Sequence, residues 1–389
     1  MSIYYQENCQ KLRREFPHTA PRMLKDGPII GMGYRSPWVI GNKIQAQVAK
    51  ELDLKVMLAQ QSVREIERTK RSFQEVLDSA TVASYLAGLK LPWGADADHL
   101  KKESEIEEAA RAGFTHFTYD VTNELGSGLK RQLADRIHSL YRFTLELKGR
   151  DSFTCEVSLD EADEATTPED LINLLDELRR RKIGVDEIAP RFPGNFEKAI
   201  DYYWKMDDNR KVHDTGIFEQ YLSEIMKIFK KYGIRVSIHS GSDKFSIYPI
   251  ISRIAGNDYH LKTAGTYYLE ELKVVARHDP DLFKEIYCFS QKQFKRDVSS
   301  YKISADFKNI PNLSTFNGNQ LAYMLESCAG NDDLRQILHV TYGSVLTATD
   351  EYGSRFAVRI FNILKKNEKE YFKILSNHIK RHLKLLNLA

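Results

Sequence analysis

The chain has 389 residues, of which 42% are hydrophobic and 29% are charged, so it can hold one large domain with an appendage, or two domains. Its net charge of +3 is spread along the sequence, and no basic stripe is interleaved with aromatic residues, which argues against nucleic acid as a main partner. No apolar run approaches the roughly 18 residues needed to span a membrane, and the polar N-terminus is unlike a signal peptide.

Cysteine usage indicates a reducing compartment. The four cysteines, Cys9, Cys155, Cys288 and Cys328, are widely spaced and form no CxxC pair. This pattern argues against a zinc knuckle and against a disulfide framework. We therefore expect a cytoplasmic protein.

Short strand-like runs alternate with helix-period segments over the first two thirds of the chain. The predicted strands are 28–33, 54–60, 91–95, 116–120, 153–157, 185–189, 235–239 and 259–262. The predicted helices are 63–89, 104–112, 129–148, 168–181 and 216–232. Eight strands alternating with helices favour a (β/α)8 barrel over an open doubly wound sheet, which would usually show a Gly-rich phosphate turn after its first strand.

The last third of the chain is predicted to be helical. Its predicted helices are 267–277, 281–296 and 356–386, with a connecting loop at 305–319. The sequence thus predicts an α/β fold, a TIM-type (β/α)8 barrel with a C-terminal helical extension. The expected divisions are an N-terminal extension (1–27), a catalytic barrel (28–280) and a helical cap (281–389). The basic residues of 378–384 are expected to form the solvated face of the terminal helix.

Polar side chains concentrate at the carboxyl ends of the predicted strands, where barrel enzymes carry their active sites. Alternation within strands also predicts which residues face the barrel axis. His239 lies on the face of the seventh strand opposite its apolar row. Glu156 has this position in the fifth strand and Asp120 has it in the fourth. These side chains are therefore expected to converge.

Two or three imidazoles with one carboxylate on neighbouring strand ends would suit a divalent transition metal such as zinc, manganese, cobalt or nickel. No compact motif such as HExxH is present. The alternative is that each histidine is a hydrogen-bonded core or rim residue, and this interpretation is kept for the histidines of predicted helices and polar loops. His339 is left undecided.

Two lysines follow the seventh and eighth strands. Lys244 and Lys262 lie near Ser246 and Thr263, which suggests an anionic, polyhydroxylated substrate. Solvated rim charges are the alternative for both lysines, and Lys244 could instead form a Schiff base.

Several blocks of sequence resemble the tagaturonate epimerase family. They are AQQSVREIERTKRSFQEVLD (59–78), WGADADHLK (93–101), IHSGSDKFSIYP (238–249), HLKTAGT (260–266) and VARHDP (275–280). The resemblance implies a metal-dependent barrel enzyme of hexuronate metabolism that interconverts D-tagaturonate and D-fructuronate. It places His99, His239 and His260 in the metal and substrate site, and we add Glu156 as the inward carboxylate. Typical members are longer and have a Gly-Asp-Arg turn after the first strand, where this chain has GMGYRSP (31–37).

The implied reaction inverts a carbon β to the ketone, whose C–H is not acidified by the carbonyl. A retro-aldol cleavage and religation would invert it, whereas transient oxidation would need a nicotinamide, for which no GxGxxG turn is present. Candidate bases are Asp98, Asp120 and Glu156.

In this scheme the substrate carboxylate contacts lysine side chains. Lys244 and Lys262 are expected to hold it, with Arg35 and Gln60 at the opposite end of the pocket. The expected partner is a small sugar acid, and homo-oligomerisation is left open.

Other functions remain open at this point. The same scaffold could carry a metal-dependent aldose–ketose isomerase or a class II type aldolase, which would use similar ligands. A non-catalytic sugar-binding relative is the third alternative. Clustered ionisable residues favour an enzyme.

Overall fold

The computed structural model describes residues 3–122, 130–208 and 210–389. Its strands are β1 Ile29–Gly31, β2 Val56–Ser62, β3 Trp93–Leu100, β4 His116–Asp120, β5 Thr154–Ser158, β6 Glu187–Ala189, β7 Lys205–Asp207, β8 Arg210–Val212, β9 Arg235–Ile238, β10 Tyr259–Lys262, β11 Thr349–Asp350 and β12 Gly353–Ser354. Its helices are α1 Ile3–Glu15, α2 Ile40–Glu51, α3 Val63–Thr69, α4 Phe73–Ala87, α5 Glu103–Ala112, α6 Lys130–Lys148, α7 Pro168–Arg180, α8 Gly216–Tyr232, α9 Tyr248–Ala255, α10 Tyr267–His278, α11 Pro280–Asp297, α12 Gly318–Met324, α13 Asp332–Val340, α14 Tyr342–Thr347, α15 Ala357–Lys366 and α16 Glu368–Leu385.

The predicted barrel is confirmed. In the described ranges eight parallel strands close in the order β1-β10-β9-β6-β5-β4-β3-β2, while β7-β8 and β11-β12 are separate two-stranded pairs. Outward-facing residues such as Phe117, Val157 and Val236 join the hydrophobic core between strands and helices. The inward-facing residues of the same strands are largely polar, so the barrel axis carries charge.

Local signals explain where many elements begin and end. Helix α7 starts at the N-cap Thr167 with Pro168 in its first turn, as predicted, and α8 ends at Gly233 in the left-handed conformation. The predicted helix 63–89 is wrong as one element. It is split because Lys70 adopts a positive φ of 53° and Ser72 then caps a new helix.

Strand β3 is longer than predicted. The prediction ended it at Ala95, but the strand continues to Leu100 and pairs Asp96 and Asp98 with neighbours in β2. Alternating aspartates rarely occupy a buried strand. They are tolerated here because positive charge on the opposite side of the barrel compensates them.

The helices after the barrel include the predicted C-terminal extension, although the predicted helix 356–386 is divided at Asn367 into α15 and α16. The expected solvated basic face is wrong for His378 and His382, which are buried. Their Nε2 atoms lie 3.3 and 3.1 Å from Oδ1 of Asp243, which follows β9. Helix α16 therefore packs its histidines onto a barrel loop. Among the described residues, none of the helices has the length and apolar character of a membrane span.

Glu271 in α10 gives the fold a pH-dependent contribution. Both of its oxygens lie 2.8 Å from Ser36 Oγ, and burial raises its pKa to about 8. The folded state therefore keeps a proton that the unfolded state releases above a pKa of about 4.5, so this group lowers stability as pH rises from about 4.5 to about 8.

We expect Glu271→Gln to remove that loss because the amide carries no charge at any pH. Relative to wild type, its free energy of unfolding should rise by about 1.4 kcal/mol per pH unit between about pH 5.5 and 7.5, measured by urea denaturation. Glu285→Gln is the control, because this carboxylate is half-exposed and paired with Arg359. Its free energy of unfolding should change with pH in the same way as that of wild type over this range. A Glu271→Gln profile parallel to wild type would contradict this account.

Candidate active site

Two adjoining cavities open at the carboxyl ends of the strands. The inner cavity, of about 70 Å³, is lined by residues that include Arg35, Gln60, Asp98, His99 and Lys262. The outer cavity, of about 510 Å³, shares the walls formed by Arg64, His99, Lys198, His239, Ser240 and Tyr301. The cavities therefore form one cleft whose deep end is strongly charged.

Two imidazoles face each other where the cavities meet. The ring centroids of His99 and His239 lie 4.9 Å apart. His99 Nδ1 lies 3.3 Å from Asp120 Oδ2, and His239 Nε2 makes a close contact with Glu156 Oε1. Each ring thus has one nitrogen against a carboxylate, and its second nitrogen is turned elsewhere.

The second nitrogens lie near two further carboxylates. His99 Nε2 is 3.8 Å from Asp98 Oδ2, and His239 Nδ1 is 3.2 Å from Asp160 Oδ1. Ligand atoms of Asp98, His99 and His239 lie within 4.8 Å of one another, which is the spacing of a group that could hold a metal ion.

Lys262 neutralises the carboxylates below this pair. Its ammonium lies 2.8 Å from Asp98 Oδ1, 3.0 Å from Asp96 Oδ2 and 3.2 Å from Glu156 Oε2, and it donates to Thr118 Oγ1 at 2.9 Å. Burial opposes the charge on Lys262, but these carboxylates raise its pKa well above the usual value. Burial likewise disfavours ionisation of Asp98, yet His99 and Lys262 lower its pKa to about 2.

A deeper layer lies beneath Lys262. His260 Nδ1 is 2.9 Å from Glu187 Oε2, and His116 Nε2 is 3.6 Å from Glu156 Oε2. Arg235 neutralises Glu187 through an Nη1–Oε1 contact of 2.7 Å. His260, His116 and both glutamates are fully buried and line neither cavity. Ligand atoms of these four residues also lie within 4.8 Å of one another, so they form a second group that could hold a metal ion, separate from the imidazole pair at the cleft.

Three residues that line the inner cavity have a strained backbone. His99, Ala199 and Ser240 have φ of 57°, 63° and 51°, and all three line that cavity. Non-glycine residues at positive φ carry a free-energy cost of about 1–3 kcal/mol and cluster at functional sites, where surrounding contacts hold them. The contacts around the inner cavity therefore hold three side chains in a conformation that the free chain would avoid.

Arg35 and Gln60 reach the inner cavity as the sequence predicts. Arg35 Nε donates to Glu65 Oε1 at 2.7 Å, and Glu65 also accepts from the Ser62 backbone in the capping box that begins α3. A Cβ at Gly31 would lie 2.0 Å from Gln60 Oε1, so glycine leaves space for this amide.

Three predicted substrate contacts are placed outside the cavity lining. Lys244 is fully buried, and its ammonium donates to the carbonyls of Glu197, Ile200 and Ser242. Ser246 donates to Asp201, and Thr263 donates to the carbonyl of Gly31. These side chains hold backbone and loops in the structure.

Other cavity residues were missed by the sequence argument. Lys198 lies beyond β6, where the rule that polar residues gather after the strand ends could have found it. Tyr301 and His339 come from the helical cap, and no local pattern marks them as cavity residues. His339 Nε2 lies 3.3 Å from Arg35 Nη1, and burial together with Arg35 keeps its pKa well below the usual range.

Comparison with known proteins gives a consistent result. A family model described as tagaturonate epimerase matches residues 1–148 and 130–386. The tagaturonate/fructuronate epimerase of Thermotoga maritima is 33% identical over 436 aligned positions, covering 98% of this chain and 85% of that protein. The native crystal structure of fructuronate-tagaturonate epimerase UxaE from Cohnella laeviribosi is 29% identical, with a TM-score of 0.86 and coverage of 98% of this chain and 86% of that one. A glycerol complex of the same enzyme gives a TM-score of 0.85 with the same identity and coverage.

The role of Lys262 can be tested by its removal. Lys262→Met leaves Asp96, Asp98 and Glu156 without their shared cation, and we expect the free energy of unfolding at pH 8 to fall by about 3–5 kcal/mol in urea denaturation. The difference in free energy of unfolding between Lys262→Met and wild type should become smaller towards pH 5, because uncompensated buried carboxylates take up protons. Lys380→Met, which breaks a surface pair with Glu51, should change stability by less than about 1 kcal/mol. Equal stability of Lys262→Met and wild type at pH 8 would refute this role.

Proposed function

The chain belongs to the tagaturonate epimerase family and is an epimerase, and we propose that it interconverts D-tagaturonate and D-fructuronate with the help of a bound divalent metal. The observation that carries the proposal is the imidazole pair at the inner cavity. The ring centroids of His99 and His239 lie 4.9 Å apart, with the rings edge to face, and each ring contacts a carboxylate. A metal-ligating histidine typically has this arrangement, with its other ring nitrogen hydrogen-bonded to a carboxylate.

The donor set fits such a metal. His99 and His239 would supply nitrogen ligands through the ring nitrogens turned away from Asp120 and Glu156, and Asp98 would supply oxygen. The buried Nδ1 of His239 lies 3.2 Å from Asp160 Oδ1, so Asp160 is beside the proposed ion. Three protein ligands beside a cavity leave room for a substrate oxygen, as in catalytic sites for zinc and similar ions. In this proposal Glu156 orients His239, and His260 belongs to the deeper layer.

A bound divalent ion would supply Lewis-acid stabilisation of negative charge on substrate oxygens. The protein residues would hold the substrate and move its proton. Among the candidate bases, Asp98 lines the inner cavity, whereas Asp120 and Glu156 are absent from its lining. Asp98 is also the proposed oxygen ligand and contacts Lys262 at 2.8 Å, which lowers its basicity, so the base remains one of the three carboxylates named from the sequence.

The stereochemistry favours a retro-aldol route. The carbon to be inverted is β to the ketone, so removal of its hydrogen is not assisted by the carbonyl. One of these carboxylates would take the proton of the hydroxyl on that carbon, the bond between that carbon and its α-neighbour would break, and the resulting aldehyde would turn before the bond re-forms. Enclosure of both fragments in the inner cavity would prevent their loss.

Metal content tests the ligand assignment. We expect about one divalent ion per chain after reconstitution, measured by inductively coupled plasma mass spectrometry, and tighter binding as pH rises because both imidazoles must lose protons. His239→Ala should lose the ion and the activity. His278→Ala, at a partly exposed histidine paired with Glu370, should keep both. Full turnover by a chelated, metal-free protein would contradict the proposal, and loss of metal from His260→Asn but not from His239→Ala would move the site to the deeper layer.

Fragment trapping and isotope effects test the route. During turnover a hydrazine trap should capture traces of a three-carbon aldehyde acid together with dihydroxyacetone, because both form when the bond breaks. Deuterium on the inverted carbon should give no primary isotope effect, since its C–H bond stays intact. A primary effect would instead indicate transient oxidation, and accumulation of both fragments as main products would indicate an aldolase. Asp98→Asn should abolish trapping and epimerisation together.

A further inference from the structure

We propose that Lys198 is the carboxylate-binding residue of the cleft and sets its preference for sugar acids over neutral ketoses. The inference deepens the proposed function, on which it rests for the identity of the substrate. Lys198 lines both cavities, together with His99 and His239. Its ammonium donates to Ser240 Oγ at 2.5 Å.

Lys198 differs from the other cations of the inner cavity in lacking a carboxylate partner. Arg35 is paired with Glu65, Arg64 with Glu161, and Lys262 with several acids. Among the described residues no carboxylate oxygen lies within 4.0 Å of the Lys198 ammonium. A half-buried cation with a single hydroxyl contact keeps two donor hydrogens for a ligand.

Lys262 is poorly suited to the same task. An ammonium has three donor hydrogens, and those of Lys262 face Asp98, Thr118 and the carboxylates of Asp96 and Glu156. A substrate carboxylate beside it would meet this group of buried negative charges. The electrostatics therefore favour the Lys198 side of the cavity for an anion.

The loop that carries Lys198 is held from its backbone. Lys244 donates to the carbonyls of Glu197 and Ile200 at 2.7 and 2.6 Å, one on each side of Lys198 and Ala199. Arg335 in α13 is fully buried and donates to the Ala199 carbonyl at 3.0 Å. These buried cations hold Ala199 at its positive φ of 63°.

The partner of Lys198 is held in the same way. Ser240 has a φ of 51° and directly follows His239, so the ammonium lies next to the proposed metal ligand. Arg335 also pairs with Asp243 in this second loop. One buried guanidinium thus connects the loop of Lys198 with the loop of His239, and this fixes the anion contact relative to the reacting centre.

The covalent structure of a hexulosonate places its carboxylate near the carbon that reacts. Its carboxylate carbon lies two carbon–carbon bonds from the carbon to be inverted, so an acid bound near His239 must place its negative charge close to that ligand. A neutral ketose has a hydroxymethyl group there and would gain only an ordinary hydrogen bond. A hydrogen bond between charged groups is stronger than one to a neutral group, so loss of the lysine charge should weaken binding of the acid more than binding of the neutral sugar.

The test is the ratio of KM values for acid and neutral sugars. Lys198→Gln keeps a polar contact to Ser240 but removes the charge. We expect it to raise KM for D-tagaturonate about 10- to 100-fold and KM for D-tagatose less than about 3-fold. Lys198→Arg should recover most of the affinity for the acid. Lys211→Met, at a lysine of the neighbouring hairpin paired with Asp332, is the matched control and should leave both values unchanged.

Equal changes in the two KM values, or no change in either, would overturn the assignment.

If wild type turns over neither sugar, the proposed function fails, and calorimetric titration of the metal-loaded proteins decides about Lys198 separately. Weaker binding of D-tagaturonate but not of D-tagatose by Lys198→Gln would support the subsite. Equal affinities of wild type and variant for the acid, or no binding of the acid to wild type, would overturn it. Lys198→Met, checked for its melting temperature, replaces Lys198→Gln if the latter does not fold.

Discussion

The site depends on one buried ammonium. Lys262 reaches from β10 across the barrel to carboxylates of β3 and β5, with contacts of 2.8 to 3.2 Å. Without it, Asp96, Asp98 and Glu156 would place three negative charges in a region closed to water, which is unfavourable by several kcal/mol per charge. This cation permits aspartates to alternate along β3, and it keeps Asp98 ionised beside the cavity.

Charge compensation also arranges the imidazoles. Glu156 contacts Lys262 with one oxygen and His239 with the other, while Asp120 lies against His99. The deeper layer repeats the scheme with Arg235 and Glu187. Two layers of alternating charge therefore fill the barrel axis, and in the described part of the chain the cleft is lined by residues of the upper layer.

The helical cap is part of the site. Tyr301 and His339 line the inner cavity although they follow the barrel in sequence. Arg335 joins two barrel loops through the Ala199 carbonyl and the Asp243 carboxylate, and α16 adds His378 and His382 to the same aspartate. A boundary drawn in the sequence between barrel and cap therefore does not divide the functional unit, because the cap holds the loops that carry His239 and Lys198.

The sequence by itself determined the barrel, the helical extension and the inward rows of polar residues, because hydrophobic alternation and helix caps act over a few residues. Only the tertiary structure decided which of those residues work together. The contacts of His239 with Glu156, Lys262 with Asp98 and Arg335 with Ala199 span 83, 164 and 136 residues. Strand register and cap packing set such contacts, so they brought Lys198 to the cleft, left His260 in the deeper layer and made Lys244 a support for the backbone.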